Sequence, residues 1–483
     1  MLQLENVNAY YAKLQVLHEL SLTIAEGERV GIFGHNGAGK TTLLKSCVGD
    51  MADISGSVRY KGQAIVAGQV HLNVRQGIGF VPQGHNVFRE LSVERNLRIA
   101  GLMHDPAYAD TVSLTDHQKA ADYTLAKARV GVMDLGLDAI TLMAWTLFGG
   151  LDLLNQVTLN WLGESMSQQI ALVVSFGLIG GLIGLPLSLY QTFGIEQRFG
   201  FNNTTPKLWV SDMLKGLLVG MVLGLPILWL VLWLMQAGGA LWWLYTWAAL
   251  VVYQLFVMWI APNVIMPLFN KFTPLEDATL KERVTALMTR SGFTAKGFFV
   301  MDGSRRSAHS NAFFTGFGAA KRVVFFDTLL AKLNGDEMEA VLAHELGHFK
   351  HRHILKMMAT SFATSLAGLA LLGWLSQQVW FYTGLGVMPN LNGNNSALAL
   401  LLFMLVLPLF TFFVSPLSAH RSRKFEFEAD AYAATHASAK HLVSALVKLY
   451  RDNASTLTPD PLHSTFYDSH PPASIRIAKL TNQ

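Results

Sequence analysis

Two histidines four residues apart, with a glutamate beside the first, form the most chemically specific segment of this 483-residue chain: His344-Glu345-Leu346-Gly347-His348. On an α-helix residues i and i+4 lie about 40° apart around the axis, so both imidazoles can meet one metal ion. Glu345 then projects to the side of that face, where a general base belongs. Cys47 is the one cysteine, which excludes a thiolate cluster and leaves histidine and carboxylate as metal ligands. The candidate third ligand is Glu426 in Arg423-Lys424-Phe425-Glu426-Phe427-Glu428-Ala429-Asp430, with Asp430 one turn further along the same helical face. Two histidines and one glutamate, with a fourth position open to water, are the ligand set of catalytic zinc hydrolases, where bound water has a pKa of about 7. Asp430 is expected to orient a ligand or neighbour by hydrogen bonding. From spacing alone, Glu426 also fits an interfacial carboxylate paired with Arg423 or Lys424. Glu428 faces elsewhere and reads as a solvated charge. His351 and His353, which continue the metal helix, read as solvated interfacial cations.

A second constellation stands near the start. Gly34-His35-Asn36-Gly37-Ala38-Gly39-Lys40-Thr41 follows the phosphate-loop pattern, between a predicted strand from Arg29 to Phe33 and a predicted helix from Thr42 to Gly49. Successive backbone N–H groups there can cradle phosphates, Lys40 can neutralise the outer phosphates, and the Thr41 hydroxyl can ligate magnesium. Residues 1–103 resemble the ABC-transporter ATPases, most closely those of the branched-chain amino acid and urea uptake type. The resemblance implies Tyr11 as an adenine-stacking aromatic and Gln83, in Val81-Pro82-Gln83-Gly84, as the Q-loop glutamine. It also implies Gly34, Gly37, Gly39, Lys40, Thr41 and Thr42 as contacts to ATP and magnesium. That family further needs a signature LSGGQ loop, a Walker B strand ending in Asp-Glu and a switch histidine, and no such segment follows. Val323-Val324-Phe325-Phe326-Asp327 has a Walker B look, yet Thr328 stands where glutamate is required, so it reads as a strand ending in a helix cap. ATP binding without hydrolysis is the expectation for this segment.

The elements that must position these residues emerge from the charges. Only 14% of the chain is charged and 51% is hydrophobic, against about 25% charged for an ordinary soluble domain, which excludes a simple soluble enzyme. The net charge of +4 comes from basic residues that lie in blocks. No Lys or Arg occurs from Val130 to Gln197, from Gly216 to Asn270 or from Met357 to His420. A nucleic-acid partner needs a continuous basic stripe and is excluded. Each gap holds two spans of about 20 residues. Six transmembrane helices are therefore predicted, at 133–161, 168–192, 214–236, 240–262, 358–386 and 397–419. Connectors within the pairs lack Lys and Arg, whereas those between the pairs carry them, so the lipid bilayer orders the chain with both termini cytoplasmic. The start has no basic n-region followed by an apolar core, and no signal peptide is expected. The metal helix has its own start signal, Asn334 with Glu337 three residues on, and apolar positions at Met338, Val341, Leu342 and Phe349. Composition shifts near Met103, dividing the chain into 1–103 and 104–483, the latter with a catalytic loop at 263–357 and a cytosolic segment at 420–483.

From about Pro106 onward the chain resembles the type I CAAX prenyl protease family, integral-membrane zinc endopeptidases. Five segments carry the resemblance in order: His117-Gln118-Lys119-Ala120-Ala121-Asp122-Tyr123, Ser310-Asn311-Ala312-Phe313-Phe314-Thr315-Gly316-Phe317, the His344–His348 helix, Phe425 to Asp430, and Ser469-His470-Pro471-Pro472. It implies helices surrounding a large chamber, and an edge strand at Asn311 and Ala312 that pairs with extended substrate. It also implies that His470 stabilises the oxyanion and that Arg476 supports the site. Taken without the resemblance, His470 before Pro471 is a histidine in a turn. The fold class expected is a mainly α, multi-pass membrane protein enclosing a chamber with a zincin-like site, preceded by a truncated α/β P-loop segment. The family's usual seven spans include one before the segment that begins near Asp105, and here the ATPase-like fragment stands in its place, as in a gene fusion or an error of sequence assembly. One zinc per chain is expected, with a prenylated or hydrophobic peptide or a membrane protein as substrate, in the cell's inner membrane. Two other readings stay open: an ATP-coupled transporter-type fusion, and a non-catalytic membrane scaffold that keeps zinc for stability.

Overall fold

The computed structural model describes residues 2–78 and 112–481, apart from 12–13, 29, 35–37, 52, 75–76, 316–319, 392 and 456–460. The chain divides into two compact units, Met1–Asn96 and Leu97–Gln483.

In the first unit, strands β1 (Leu2–Tyr11), β2 (Leu14–Ile24), β3 (Ile54–Tyr60) and β4 (Gln63–Ala64) form one sheet in the order β2-β1-β3-β4, antiparallel throughout. Leu4 and Val7, set on one face by an irregularity between them, pack with Leu17 and Val58 against Leu43 of the helix Lys40–Val48. The predicted helix after the phosphate loop is present, started by Gly39 in the left-handed region at φ 83° and ended by Gly49 at φ 76°. The predicted strand before the loop is not: Val30 to Gly34 are in no strand and Phe33 is 94% exposed. The strand that feeds a phosphate loop belongs in a parallel sheet covered on both faces, and the described residues supply no parallel neighbour to complete its ladder. Gln83, Gly37 and the composition shift near Met103 lie outside the described residues.

The second unit is dominated by helices. Among the described residues, five are long and apolar enough to cross a membrane: Met166–Glu196, Pro206–Ala237, Gly239–Phe269, His353–Leu375 and Ser396–His436. The predicted first span, 133–161, is broken. Helices Leu114–Trp145 and Gly150–Leu162 meet there at a 52° bend. Gly149 takes φ 75° at the break, and a side chain on Gly150 would fall 2.6 Å from the Ala144 carbonyl oxygen, so the glycine pair builds the bend. Counting the bent pair as one span gives six. The predicted fifth span, 358–386, is also corrected: its helix begins at His353 and ends at Leu375, and Val379–Thr383 is a separate short helix after a turn.

The last span changes most. Ser396–His436 runs 41 residues, interrupted only by a tighter turn at Phe412–Val414. At 1.5 Å per residue that is about twice the roughly 30 Å of bilayer hydrocarbon. The end of the helix therefore projects beyond the hydrocarbon, carrying Glu426 and Asp430 on the same rigid rod that crosses it.

A four-stranded sheet of β5 (Phe272–Pro274), β6 (Thr294–Met301), β7 (Ala312–Thr315) and β8 (Ala320–Phe326) stands in the order β5-β6-β8-β7. β7 pairs only with β8 among the described residues, so the predicted edge strand at Ala312 is an edge. Val323–Phe326 is the end of β8, as expected, but Asp327 does not cap: it is the first residue of the short helix Asp327–Leu330, which has no side-chain cap, and its Oδ1 accepts from the backbone N–H groups of Ser304 and Thr328, both at 2.8 Å. The metal helix, Gly335–Lys350, packs beside this sheet. Its start is a closed capping box, with Glu337 N donating to Asn334 Oδ1 and Asn334 N to Glu337 Oε2, each at 2.9 Å. Met338, Leu342 and Leu346, four residues apart, are fully buried in the core with Phe325 and Leu287. Burying each stabilises the docking by about 1.5–3 kcal/mol, and it leaves the opposite side of the helix for His344 and His348.

Candidate active site

The metal helix meets the helix Ser415–His436 at Gly347. A side chain there would stand 2.9 Å from the Ala429 Cα and 3.1 Å from both the Ala429 carbonyl oxygen and the Tyr432 Cβ. Only glycine lets the two backbones approach this closely, and Glu426 lies one turn before Ala429. Glycine inside a helix costs about 1 kcal/mol against alanine, and that cost is the one signal in the sequence for a contact that spacing did not reveal. Gly347→Ala is expected to force the helices apart, lower the stability by about 1–3 kcal/mol and weaken zinc binding. Thermal unfolding and zinc titration check both, and wild-type values in both would remove this role.

The crossing brings the predicted ligands together. His344 Nε2 and His348 Nε2 are 3.2 Å apart, and the Glu426 oxygens lie 3.5 Å from each of them. All the ligand atoms of His344, His348 and Glu426 fall within 4.8 Å of one another. Tetrahedral bonds of 2.0–2.2 Å to one ion place neighbouring ligand atoms about 3.3–3.6 Å apart, so the set fits zinc. The donor chemistry agrees. Glu426 is 5% exposed, and its Oε2 has no hydrogen-bond partner among the described residues, although Arg476 Nη1 stands 3.5 Å away. The alternative of Glu426 paired with Arg423 is not what the fold selects, because Arg423 donates to the carbonyl oxygens of Ser464, Thr465 and Asp468.

Behind His344 stands a charged pair. Its Nδ1 is 2.9 Å from Asp430 Oδ1, which leaves Nε2 free for a metal. Asp430 in turn receives both Arg476 Nε at 2.8 Å and Nη2 at 2.6 Å, a bidentate contact, with both residues buried. Burial pushes the His344 imidazole down, but the carboxylates of Asp430 and Glu426 outweigh it and raise its pKa to about 9. Burial together with the charge on His344 holds His348 down at about 4. A metal ligand must be neutral, so a bound cation would compete with the proton that the carboxylates favour on His344. Burial also raises the Glu345 carboxyl above the usual glutamate range, toward the pKa a general base needs near neutrality.

These groups line a cavity of about 520 Å³ that includes Asn311, Ala312, Glu345, Tyr450, Asn453 and His470. His470, with its side chain 64% exposed, puts Nε2 3.4 Å from Glu426 Oε1. Asn311 precedes β7, and its side chain accepts from the Ala312 N–H at 2.8 Å. Two expectations fail. His353 is fully buried rather than solvated, with Nδ1 2.9 Å from His348 Nδ1 and Nε2 2.9 Å from Glu428 Oε2. Glu428 is therefore a partner of the site and no free surface charge, because the chain reverses after Lys350 and folds His353 back under the metal helix. His351 remains exposed.

In the first unit Lys40 Nζ donates to the Gly34 carbonyl oxygen at 2.6 Å, Thr41 is exposed, and Tyr11 at the end of β1 is 47% exposed. Thr42 is buried, its carbonyl accepting from Ser46, and forms part of the unit's interior.

Comparison with known proteins finds two kinds of match, which overlap over residues 101–150. The family described as CAAX prenyl protease N-terminal, five membrane helices, matches residues 101–271, and peptidase family M48 matches 274–483. The ABC transporter family matches 17–150. The chain is 36% identical over 329 residues to CAAX prenyl protease 1 of Saccharomyces cerevisiae, covering 66% of this chain and 73% of that protein. It is 40% identical over 305 residues to the CAAX prenyl protease 1 homolog of Arabidopsis thaliana, covering 62% and 70%. The crystal structure of S. mikatae Ste24p superposes with a TM-score of 0.74 at 31% identity, over 80% of this chain and 95% of that one.

Proposed function

Because the chain belongs to the CAAX prenyl protease family of M48 metallopeptidases, we propose which of its residues carry the hydrolysis and what they act on. The protein is a multi-pass membrane zinc metalloendopeptidase. His344, His348 and Glu426 hold the metal, a reading supported by three ligand atoms converging from two helices beside a cavity whose rim is an open strand edge. Zinc so held supplies a Lewis acid for the scissile carbonyl and lowers the pKa of water to about 7.

The chain's own groups do the rest. Substrate lies extended along β7, its backbone paired with the free edge beside Asn311 and Ala312. Glu345, kept basic by burial, takes the proton of the attacking water and delivers it to the leaving amine. His470, exposed at the mouth and close to Glu426, donates to the developing oxyanion. Arg476 clamps Asp430, and Asp430 holds the His344 ring so that Nε2 faces the metal.

The substrate class is a prenylated or otherwise hydrophobic C-terminal peptide presented from the bilayer, as the names of the relatives indicate for those proteins. The charge blocks support placing both termini and the metal site on the cytoplasmic side of the inner membrane. For residues 1–103 the reading is an ABC-type ATPase segment able to hold ATP and magnesium at Lys40 and Thr41 without turnover, supported by the ABC transporter match and the helix that follows Gly39.

The test is cleavage of a farnesylated peptide by the full chain in liposomes. Activity is expected to vanish on chelation, return with zinc and ignore ATP. Chelator-resistant cleavage, or cleavage that needs ATP, would defeat the proposal.

A further inference from the structure

Asp430 explains the orientation of His344, but at Nδ1, the nitrogen turned away from the ligand triangle, His348 meets no carboxylate among the described residues. What it has is a second histidine. After the metal helix ends at Lys350 the chain reverses through Arg352, in the left-handed region at φ 56°, and His353 opens the next helix. The reversal returns the His353 ring beneath the metal helix, where it is fully buried and stacked on Phe425 with centroids 4.1 Å apart and planes 11° apart. Its two nitrogens have different neighbours: Nδ1 is 2.9 Å from His348 Nδ1, and Nε2 is 2.9 Å from Glu428 Oε2.

With His348 Nε2 given to the metal, one assignment of hydrogens satisfies the contacts behind it. As a ligand that nitrogen uses its lone pair, so the hydrogen of the neutral ring sits on Nδ1. The Nδ1–H then donates to His353 Nδ1. His353, neutral with its hydrogen on Nε2, donates in turn to the Glu428 carboxylate. Reversing any link would set two lone pairs or two hydrogens face to face.

We propose that His353 and Glu428 form a positioning relay that fixes the tautomer and ring plane of His348 as a metal ligand, the two-step counterpart of the direct Asp430–His344 contact. The relay rests on the reading of His348 as a ligand. Phe425 holds the relay histidine flat, and Glu428 lies on the same helix as Glu426, so one helix places the third ligand and anchors the second. Partners of this kind are worth about 10- to 100-fold in metal affinity when removed.

The experiment titrates the metal-free full chain in detergent with zinc alone against a competing chelator. His353→Phe keeps the ring and the stack while removing both nitrogens, and zinc affinity is expected to fall about 10- to 100-fold. Glu428→Met, at the partly exposed outer end of the chain of contacts, tests the relay without touching the buried ring and should weaken zinc in the same range. Glu428→Gln keeps an acceptor oxygen for His353 and should recover most of that loss. The double variant His353→Phe/Glu428→Met should be no weaker than the worse single variant, because both break one chain, whereas two unrelated structural defects would add. At saturating zinc, KM should stay at the wild-type value while kcat falls. Wild-type zinc affinity in His353→Phe and Glu428→Met, or simple additivity in the double variant, overturns the relay. His348→Ala separates the two levels: retention of tight zinc there would overturn the ligand reading itself, independently of the outcome at His353.

Discussion

Glu345→Gln is expected to bind zinc at the wild-type stoichiometry and affinity while peptide turnover falls by about 10²- to 10⁴-fold. The two halves of this result come from different features. Glu345 is absent from the ligand triangle of His344, His348 and Glu426, so an amide in its place leaves the metal site untouched. It nonetheless lines the cavity next to both histidines, and burial raises its carboxyl above the ordinary range. A carboxylate poised there can accept a proton from water and release it to an amine. The isosteric amide can do neither at any working pH. Zinc content by elemental analysis and single-turnover cleavage measure the halves separately. Turnover within tenfold of wild type would exclude Glu345 as the base. Loss of zinc would move it into the ligand set.

Glu426→Ala should lose stoichiometric zinc at micromolar metal. Removing a partner that merely orients a ligand costs about 10- to 100-fold in affinity, and removing a ligand exceeds that. At this position the loss is compounded by charge. Glu426 is the carboxylate that faces both imidazoles, and around it stand His470 at 3.4 Å and the Arg476 guanidinium at 3.5 Å. With it gone, two histidines and a buried arginine confront an incoming dication with less negative charge to balance them. Glu426→Gln, which keeps the shape and one oxygen, should retain weak binding and so distinguish charge from packing. One tightly held zinc per chain in Glu426→Ala would show that the third ligand lies elsewhere.

Much of this site was legible because its chemistry follows from short-range periodicity. A spacing of four puts His344 and His348 on one face of any helix, and the same spacing aligns Glu426 with Asp430, whatever the rest of the chain does. The spans were legible for a similar reason: exclusion of Lys and Arg from lipid is a local cost, residue by residue. Where prediction missed, the property was not local. The break at Gly149 and Gly150 depends on how a carbonyl and a side chain would collide across the turn, which composition averages over. The strand expected at Arg29 to Phe33 failed because a strand is completed by its neighbours. His470, Arg476, Asn311 and Ala312 carried no signal of their own beyond their resemblance to a family, since each reaches the metal residues only through loops and helices far away in the chain.

His353 and Glu428 mark the boundary most clearly. Along the chain, one is the last histidine of a basic run and the other a glutamate on the wrong side of a helix, and both belong in water by every local rule. Local pattern determined the ligand types, the helix that pairs them and the membrane in which they sit. Folding alone brought Gly347 against Ala429 and turned His353 under His348. The contacts of Gly347 with Ala429 and of His353 with Glu428 join segments 82 and 75 residues apart, and that of His348 with His353 needs the reversal at Arg352, so no spacing within one helix encodes them.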